Sequence, residues 1–160
     1  MPWTEQWLTL DTTACSVGRT LDLVGEKWTL LILREAMNGV SRFEVLQQRL
    51  GAPRAVLAAR LAGLVERGLL ERSTYREDGR RARQEYRLTA KGDDLRPVLV
   101  ALMQYGDRHL ADADGPPVQL VHRACAAPVG VALVCAEGHL LAEHGELRAQ
   151  AGPGARRLAS

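Results

Sequence analysis

Aromatic residues, cysteines and long apolar runs are all scarce in this chain of 160 residues. Aromatic residues make up only 4 % of it, so aliphatic side chains must fill the core. No apolar run approaches the roughly 18 residues that a membrane-spanning helix requires. The opening residues, MPWTEQW, contain no basic segment followed by an apolar one, so we expect no secretory signal. These absences predict a cytoplasmic protein with no membrane partner.

The chain also lacks the patterns of common enzyme classes and of disulfide-rich proteins. It contains no G-x-S-x-G, P-loop, dinucleotide-binding or H-E-x-x-H motif, so we expect no enzyme. Cys15, Cys125 and Cys135 are odd in number and far apart, which is not the pattern of a disulfide framework. The formal net charge is only +2, so any binding to nucleic acid must use a local basic patch.

Residues 75–92 contain such a local excess of positive charge. Six arginine and lysine side chains stand there against three acidic ones, a larger excess than that of the whole chain. Residues 69–75 and Arg83–Leu88 predict two strands, joined by a turn at Asp78 and Gly79. A charged hairpin by itself is most often a solvated edge, so its role depends on the elements around it.

Two helices are predicted at the start of the chain. The first covers residues 11–25, with Asp11 or Thr12 as its cap. The second covers residues 27–39 and is apolar almost all round, so it should be central and buried.

A helix-turn-helix is predicted next. Ser41 and Glu44 match a capping box for a short helix that Gly51 ends. Pro53 suits the first position of a longer helix, which Gly68 ends. One face of this longer helix is a stripe for the core, and the other carries one arginine and very small side chains: Leu57, Leu61, Leu64 and Val65 on the first, Arg54, Ala55, Ala58, Ala59 and Ala62 on the second.

Beyond the hairpin, Thr89 is predicted to cap a helix over residues 90–111, interrupted early by Gly92 and Pro97. Short strands are expected at residues 118–125 and 129–135. The predicted fold is mainly α with a small β-wing, a winged helix-turn-helix with a C-terminal β-hairpin or zinc-ribbon-like extension. Its predicted parts are a DNA-binding and dimerisation domain at 11–112, a β-rich extension at 118–147 and a disordered tail at 148–160.

This order of elements is typical of DNA-binding proteins. The second helix of a helix-turn-helix can enter the major groove with its N-terminal residues nearest the bases, and its alanines allow close approach. Arginines of the wing can then lie along the phosphates. The predicted DNA contacts are Arg42, Pro53, Arg54, Ala55, Ala58, Arg76, Arg80, Arg81 and Arg83.

The motifs resemble those of the HxlR family of bacterial transcription regulators, which is related to the MarR group. The similarity lies in CSVGRTLDLVGEKWTLLILREA, GVSRFEVLQQRL, VLAARLAGLVERGLLER and YRLTAKG, over about residues 14–110. It implies a homodimer that binds a palindromic operator, with the N-terminal segment and the helix after the wing at the dimer interface. A repressor is the expected type. The recognition helix is unusually rich in alanine for this family.

The resemblance also implies a role for Cys15, because some members sense oxidants or electrophiles through an N-terminal cysteine. Arg19, one helical turn away, would favour the reactive thiolate. The alternative is a small buried residue near the dimer interface. We therefore expect that a small molecule or an oxidant can act as an effector of this protein.

Two pairs of zinc-ligand residue types occur in the C-terminal part, His122 with Cys125 and Cys135 with His139. Four such ligands can bind Zn²⁺ tetrahedrally. Gly138 stands where similar longer chains carry a cysteine, so the alternative is a hairpin held by apolar packing. We expect that the protein requires no cofactor, and zinc binding remains an open alternative.

One further alternative is a winged helix that serves as a protein-interaction scaffold and does not bind an operator. An acidic or neutral recognition face would favour that function. Here the recognition face and the wing are both basic, so DNA binding is the favoured interpretation.

Overall fold

The computed structural model describes residues 9–76, 83–141 and 146–158. None of the helices in these ranges is long and apolar enough to cross a membrane. The chain divides into two units, Leu23–Gly130 in one and Met1–Asp22 with Val131–Ser160 in the other. The elements are α1 (Ser16–Val24), α2 (Lys27–Met37), α3 (Phe43–Leu50), α4 (Arg54–Glu66), β1 (Leu70–Tyr75), β2 (Arg83–Leu88), α5 (Ala90–Asp93), α6 (Arg96–His109), β3 (Leu133–Val134) and β4 (Leu140–Leu141).

Helix α2 is the centre of the larger unit, as its apolar sequence predicts. Ile32 and Leu33 are both 0 % exposed, and Thr29 and Glu35 are buried beside them. Gly39 ends the turn after the helix with φ of +83°, a conformation that glycine adopts without strain. The remaining core comes from α1, α3, α4 and the base of the wing: Val24, Leu46, Ala52, Leu57, Leu61, Leu64, Leu69 and Leu70.

The helix-turn-helix consists of α3 and α4, joined through Gly51 in the left-handed conformation at φ of +64°. The predicted capping box is wrong, because α3 begins at Phe43 and follows Arg42, which makes no side-chain cap. Residues 41 and 42 are instead extended and pair with β2, so a tertiary contact outweighs the local capping pattern. Helix α4 begins at Arg54, one residue later than predicted, so Pro53 is its N-cap and not its first helical residue.

The wing is the predicted antiparallel pair of strands. Leu70 pairs with Leu88 at its base and Tyr75 with Arg83 at its far end. Bonds across the strands add to the ladder, from Ser73 Oγ to a Glu85 carboxylate oxygen at 3.0 Å and from Gln84 Nε2 to Thr74 Oγ1 at 3.1 Å. The predicted turn at Asp78 and Gly79 lies outside the described residues.

Thr89 caps α5 as predicted, with its hydroxyl oxygen accepting from the Gly92 amide at 3.1 Å. The same hydroxyl donates to the carbonyl of Gly68 at 2.7 Å. Lys91 Nζ donates to the carbonyl of Arg67 at 2.8 Å. The sequence Thr-Ala-Lys-Gly thus fastens the helices after the wing to the end of α4. The helix predicted over residues 90–111 is divided into α5 and α6, with Pro97 in the first turn of α6.

The N-terminal helix differs from its prediction. Helix α1 begins at Ser16, so neither Asp11 nor Thr12 caps it. Asp11 instead accepts hydrogen bonds from the amide and hydroxyl of Thr13, both at 2.8 Å, which makes a local turn.

The C-terminal part has less strand than predicted. Residues 118–125 contain only an isolated bridge between Val121 and Pro128, and the hairpin is β3 with β4. Residues within the predicted disordered tail are paired: Leu10 bridges Arg157, and the Leu158 amide donates to the carbonyl of Thr9 at 2.8 Å. Such pairing across the whole chain has no local sequence signal.

Candidate nucleic-acid interface

Helix α4 presents two different faces. Leu57, Leu61 and Leu64 are at most 2 % exposed and hold the helix on the core. The opposite face is exposed. It consists of the residues that were predicted to contact DNA or to allow the helix to approach it closely: Arg54, Ala55, Ala58, Ala59 and Ala62. Its small side chains leave the backbone of α4 accessible to a groove.

Arg54 lies at the start of α4, and its guanidinium is 4.8 Å from the centroid of the Phe43 ring. This cation–π contact joins the two helices of the helix-turn-helix and restricts the position of the charge. Phe43 is partly buried and packs against the core. Its second role, as a platform for Arg54, was missed because it depends on how the two helices meet.

Arg42 makes a cation–π contact like that of Arg54, but with a ring of the wing. Its guanidinium is 4.6 Å from the centroid of the Tyr75 ring, and its backbone forms a bridge with Glu85. The Tyr86 amide also donates to the carbonyl of Ser41 at 2.8 Å. The chain before α3 is therefore an added edge of the wing, which fixes the wing relative to the helix-turn-helix.

The described arginines of the wing are exposed. Arg83 and Arg87 share one face of β2 with Glu85, and Glu85 pairs with Arg87 at 3.1 Å. Arg76, just beyond β1, is exposed as well. Arg72 of β1 is an exposed cation that the sequence reasoning missed. The predicted contacts Arg80 and Arg81 lie outside the described residues.

An ion cluster around the buried Glu35 joins α2 to α3. Glu35 of α2 is 2 % exposed and accepts hydrogen bonds from Arg34, at 2.7 and 3.1 Å, and from Nε of Arg49. Burial by itself raises the pKa of Glu35, but the hydrogen bonds from Arg49 and Arg34 outweigh it and hold the pKa below its ordinary value. The cluster ties the end of α3 to α2. This cluster was not predicted, because the sequence of α2 is apolar almost all round and indicated only a buried helix.

Arg60 of α4 does not belong to the exposed face. Its Nη2 lies 3.1 Å from a carboxylate oxygen of Glu26, and the pair is largely solvated.

Cys15 is exposed and directly precedes α1. Its amide donates to the carbonyl of Thr12, and its carbonyl accepts from the Arg19 amide, both at 3.0 Å. The sensing role implied by the family resemblance stays a prediction.

The two predicted zinc pairs each lie in a tight turn. His122 Nδ1 is 3.1 Å from Cys125 Sγ, and Cys135 Sγ is 3.4 Å from His139 Nδ1. These atoms are donor types that Zn²⁺ binds. Within residues 9–76, 83–141 and 146–158, however, no group of three or more suitable side chains is placed for one metal ion.

Zinc therefore stays a prediction. We expect protein purified without chelator to contain about one zinc ion per chain if all four ligands bind it, and a Cys135→Ser variant to lose it. Elemental analysis of both proteins measures this. Metal-free wild-type protein would contradict the prediction.

Comparison with known proteins agrees with this geometry. A model of the HxlR-like helix-turn-helix family matches residues 23–114. An HTH-type transcriptional regulator of Mycobacterium tuberculosis (strain CDC 1551 / Oshkosh) is 52 % identical over 120 residues, which are 75 % of each chain. The crystal structure of PA1607, a candidate transcription factor, is 37 % identical with a TM-score of 0.74, over 86 % of this chain and 95 % of that one.

The redox regulator HypR in its reduced form is also similar, with 26 % identity and a TM-score of 0.52, over 57 % of this chain and 90 % of that one. The family match covers more than half of the chain and contains the whole helix-turn-helix and wing. The chain therefore belongs to the HxlR-like helix-turn-helix family of DNA-binding transcriptional regulators.

Proposed function

We propose that this protein binds a palindromic operator as a homodimer and represses the genes beside it. The observation that carries the proposal is the exposed face of α4, which combines an arginine at the N-terminus with alanines along its length. Helix α4 enters the major groove, where Arg54 reaches guanine or phosphate and Ala55 and Ala58 contact the groove floor. The arginines of the wing bind phosphates on either side.

The wing and α4 act on one duplex because they are held together. The stacking of Arg42 on Tyr75 connects the wing to the start of α3, and Thr89 connects its base to the end of α4. Arg42 contributes its charge near the backbone of the DNA while keeping this contact. Pro53, exposed before α4, fits the same surface.

The homodimer is supported by exposed apolar side chains on two helices. In α6, Val98, Leu102 and Tyr105 are 45, 50 and 63 % exposed and recur at helical spacing. In α1, Val17 and Leu21 are 67 and 58 % exposed. Exposed apolar stripes of this kind mark interaction surfaces, and a second copy would bury them. A two-fold dimer matches a palindromic operator with half-sites about 34 Å apart or a multiple of that distance.

The proposed regulator works in the cytoplasm and responds to an effector. The similarity to HypR, a redox regulator, supports an oxidant as one class of signal. Thiol oxidation at Cys15 stays a prediction of the sequence.

Replacement of Arg54 tests the DNA-binding function. We expect Arg54→Ala to weaken operator binding by about 10- to 100-fold for each half-site, because one charged contact to a base or phosphate is worth roughly 1–3 kcal/mol and each subunit of the dimer loses one. Arg54→Lys should recover only part of the loss, since lysine keeps the charge but not the planar group stacked on Phe43. Fluorescence anisotropy with DNA taken from a footprint upstream of the gene measures both variants.

Arg60→Ala is the matched control, because Arg60 lies on the same helix but pairs with Glu26. Its operator affinity should stay close to that of the wild type. Equal affinities of wild type and Arg54→Ala would contradict the proposed role of α4. Titration with random duplex DNA at low and high salt addresses the scaffold alternative, which predicts no salt-dependent binding at all.

Replacement of Leu102 tests the homodimer. We expect Leu102→Asp to convert the dimer to a monomer at micromolar concentration, because a carboxylate in an apolar interface loses its hydration without gaining a partner. Analytical ultracentrifugation measures the change. Val45→Asp is the control, since Val45 is 39 % exposed on α3 and lies outside the proposed interface. A wild-type protein that sediments as a monomer would exclude the dimer.

A further inference from the structure

A cavity of about 650 Å³, open to solvent on one side, lies in the Leu23–Gly130 unit. It is lined by α2, the end of α3, α6 and residues 117–120. Its volume is within the range of small-molecule sites, roughly 300–1,000 Å³. Leu30, Leu99 and Met103 contribute to an apolar wall, and the methionine can adapt its shape to an occupant. The cavity is therefore suited to a molecule with an organic body rather than to an inorganic ion.

The charged side chains around this cavity favour an anion. Four cationic side chains line it, Lys27, Arg34, Arg49 and Arg96, against the two carboxylates of Glu35 and Asp107, and Arg96 is paired with Asp93 beside the cavity.

The carboxylate of Glu35 is already occupied. It accepts two hydrogen bonds from Arg34 and one from Arg49. A guanidinium carries five N–H donors, so both arginines keep donors for a further acceptor. Their side chains are 50 and 54 % exposed, which leaves them accessible from the cavity.

We propose that this cavity binds an amphipathic organic anion, an aromatic or branched aliphatic carboxylate. Its carboxylate binds Arg34 and Arg49, and its apolar body packs on Leu99 and Met103. A guanidinium matches a carboxylate through paired hydrogen bonds, and apolar walls beside it exclude a small hydrated anion. The inference rests on the proposed function and deepens it, since it names the chemical class of the effector.

The position of the cavity gives such a ligand an effect on DNA binding. Helix α3 belongs to the helix-turn-helix and packs on α2, while α6 carries the apolar stripe assigned to the dimer, and Leu102 of that stripe also lines the cavity. A molecule between them contacts the elements that orient the two α4 helices of a dimer. It changes operator affinity to the extent that it binds the DNA-bound and free forms unequally.

Ligand binding is first measured in the absence of DNA. Isothermal titration calorimetry compares 2-naphthoate with 2-naphthamide, which has the same shape but no charge. We expect 2-naphthoate to bind saturably at one molecule per chain, and the amide to bind about tenfold or more weakly. Arg34→Gln should weaken 2-naphthoate binding about tenfold and leave the amide unchanged. Met103→Trp, whose indole would occupy the space beside Leu99 where the apolar body of the ligand packs, should weaken binding of both compounds about tenfold or more.

Arg87→Gln is the matched control, because Arg87 also pairs with a glutamate but belongs to the wing. Its affinity for 2-naphthoate should equal that of the wild type. Circular dichroism melting confirms that each variant is folded before its binding is interpreted. Arg34→Gln removes a charge, whereas Met103→Trp reduces the space in the cavity. If one of these variants misfolds, the other still tests the site.

Several results would overturn the site. Equal affinities for the acid and the amide would remove the role of the arginines, and unchanged binding in Met103→Trp would place the ligand elsewhere. An affinity that falls as the protein concentration rises would mean that a second copy covers the cavity. Each of these results leaves operator binding intact, whereas normal 2-naphthoate binding without operator binding would refute the proposed function alone.

A second arm tests the effector role. Saturating 2-naphthoate should change the operator Kd of the wild type by about fivefold or more, and should not change that of Met103→Trp. An unchanged operator Kd in the wild type would overturn the effector role.

Discussion

Gly92→Ala is expected to lower the free energy of unfolding by about 3 kcal/mol, at the upper end of typical overpacking costs. A Cβ at this position would overlap the carbonyl oxygen of Leu69 and lie 2.9 Å from Cδ2 of Leu88. The Leu69 carbonyl cannot move freely, because it accepts from the amide of Thr89 at 3.1 Å, and the Thr89 hydroxyl oxygen lies 3.2 Å from it. The backbone at the base of the wing must therefore shift.

Urea unfolding at neutral pH measures this loss, and operator binding should weaken with it because the wing changes its position relative to α4. Gly63→Ala is the matched control within a helix. A Cβ there has no neighbour within 4 Å among the described residues, so alanine should stabilise the protein by up to about 1 kcal/mol through helix propensity. Equal stability of Gly92→Ala and wild type would show that α5 does not pack on the wing as described.

Glu35→Gln is expected to lower the free energy of unfolding by about 2 kcal/mol near neutral pH. The amide keeps the shape of the side chain but leaves the two arginines without an ionised acceptor. The loss stays below that of a fully buried pair because Arg34 and Arg49 are half exposed and regain water. Glu26→Gln is the control, since the exposed pair of Glu26 with Arg60 should contribute at most about 1 kcal/mol.

The contribution of Glu35 depends on pH in a predictable direction. Its pKa in the folded protein is below the ordinary value of 4.5, so the folded state favours the ionised form. The stabilisation is fully present above about pH 4.5 and is lost as the pH falls through the folded-state pKa. The difference in stability between wild type and Glu35→Gln should therefore shrink on acidification.

Urea unfolding of both proteins at about pH 7 and about pH 3 measures this change. The other charged side chains that line the same cavity are Lys27, Arg96 and Asp107, and they are identical in the two proteins. A difference that stays constant over this pH range would contradict the ionised state of Glu35.

Local patterns predicted most of the helices and strands to within one or two residues. The turn glycines at 39, 51 and 68 mark helix ends because all three have positive φ. The exposed face of α4 also follows from the helical spacing of its apolar residues, and the pairing of the wing follows from two strand patterns joined by a turn. The predictions that failed were local as well: the caps at Asp11 or Thr12 and at Ser41, the start of the first helix at residue 11, the strand over residues 118–125 and most of the strand over residues 129–135. At Ser41 a competing contact, pairing with β2, decides the structure.

The amino-acid sequence by itself determined the order of the elements, the alanine face of α4 and the family, because these depend on residues close together in the chain. Only the tertiary structure decided which side chains meet. Arg42 lies on Tyr75, Arg54 on Phe43, and Arg49 binds Glu35, each across a different pair of elements. The cavity beside Glu35 likewise exists only when α2, α3 and α6 pack together. Such contacts join residues with no fixed spacing, so no periodic pattern in the sequence encodes them.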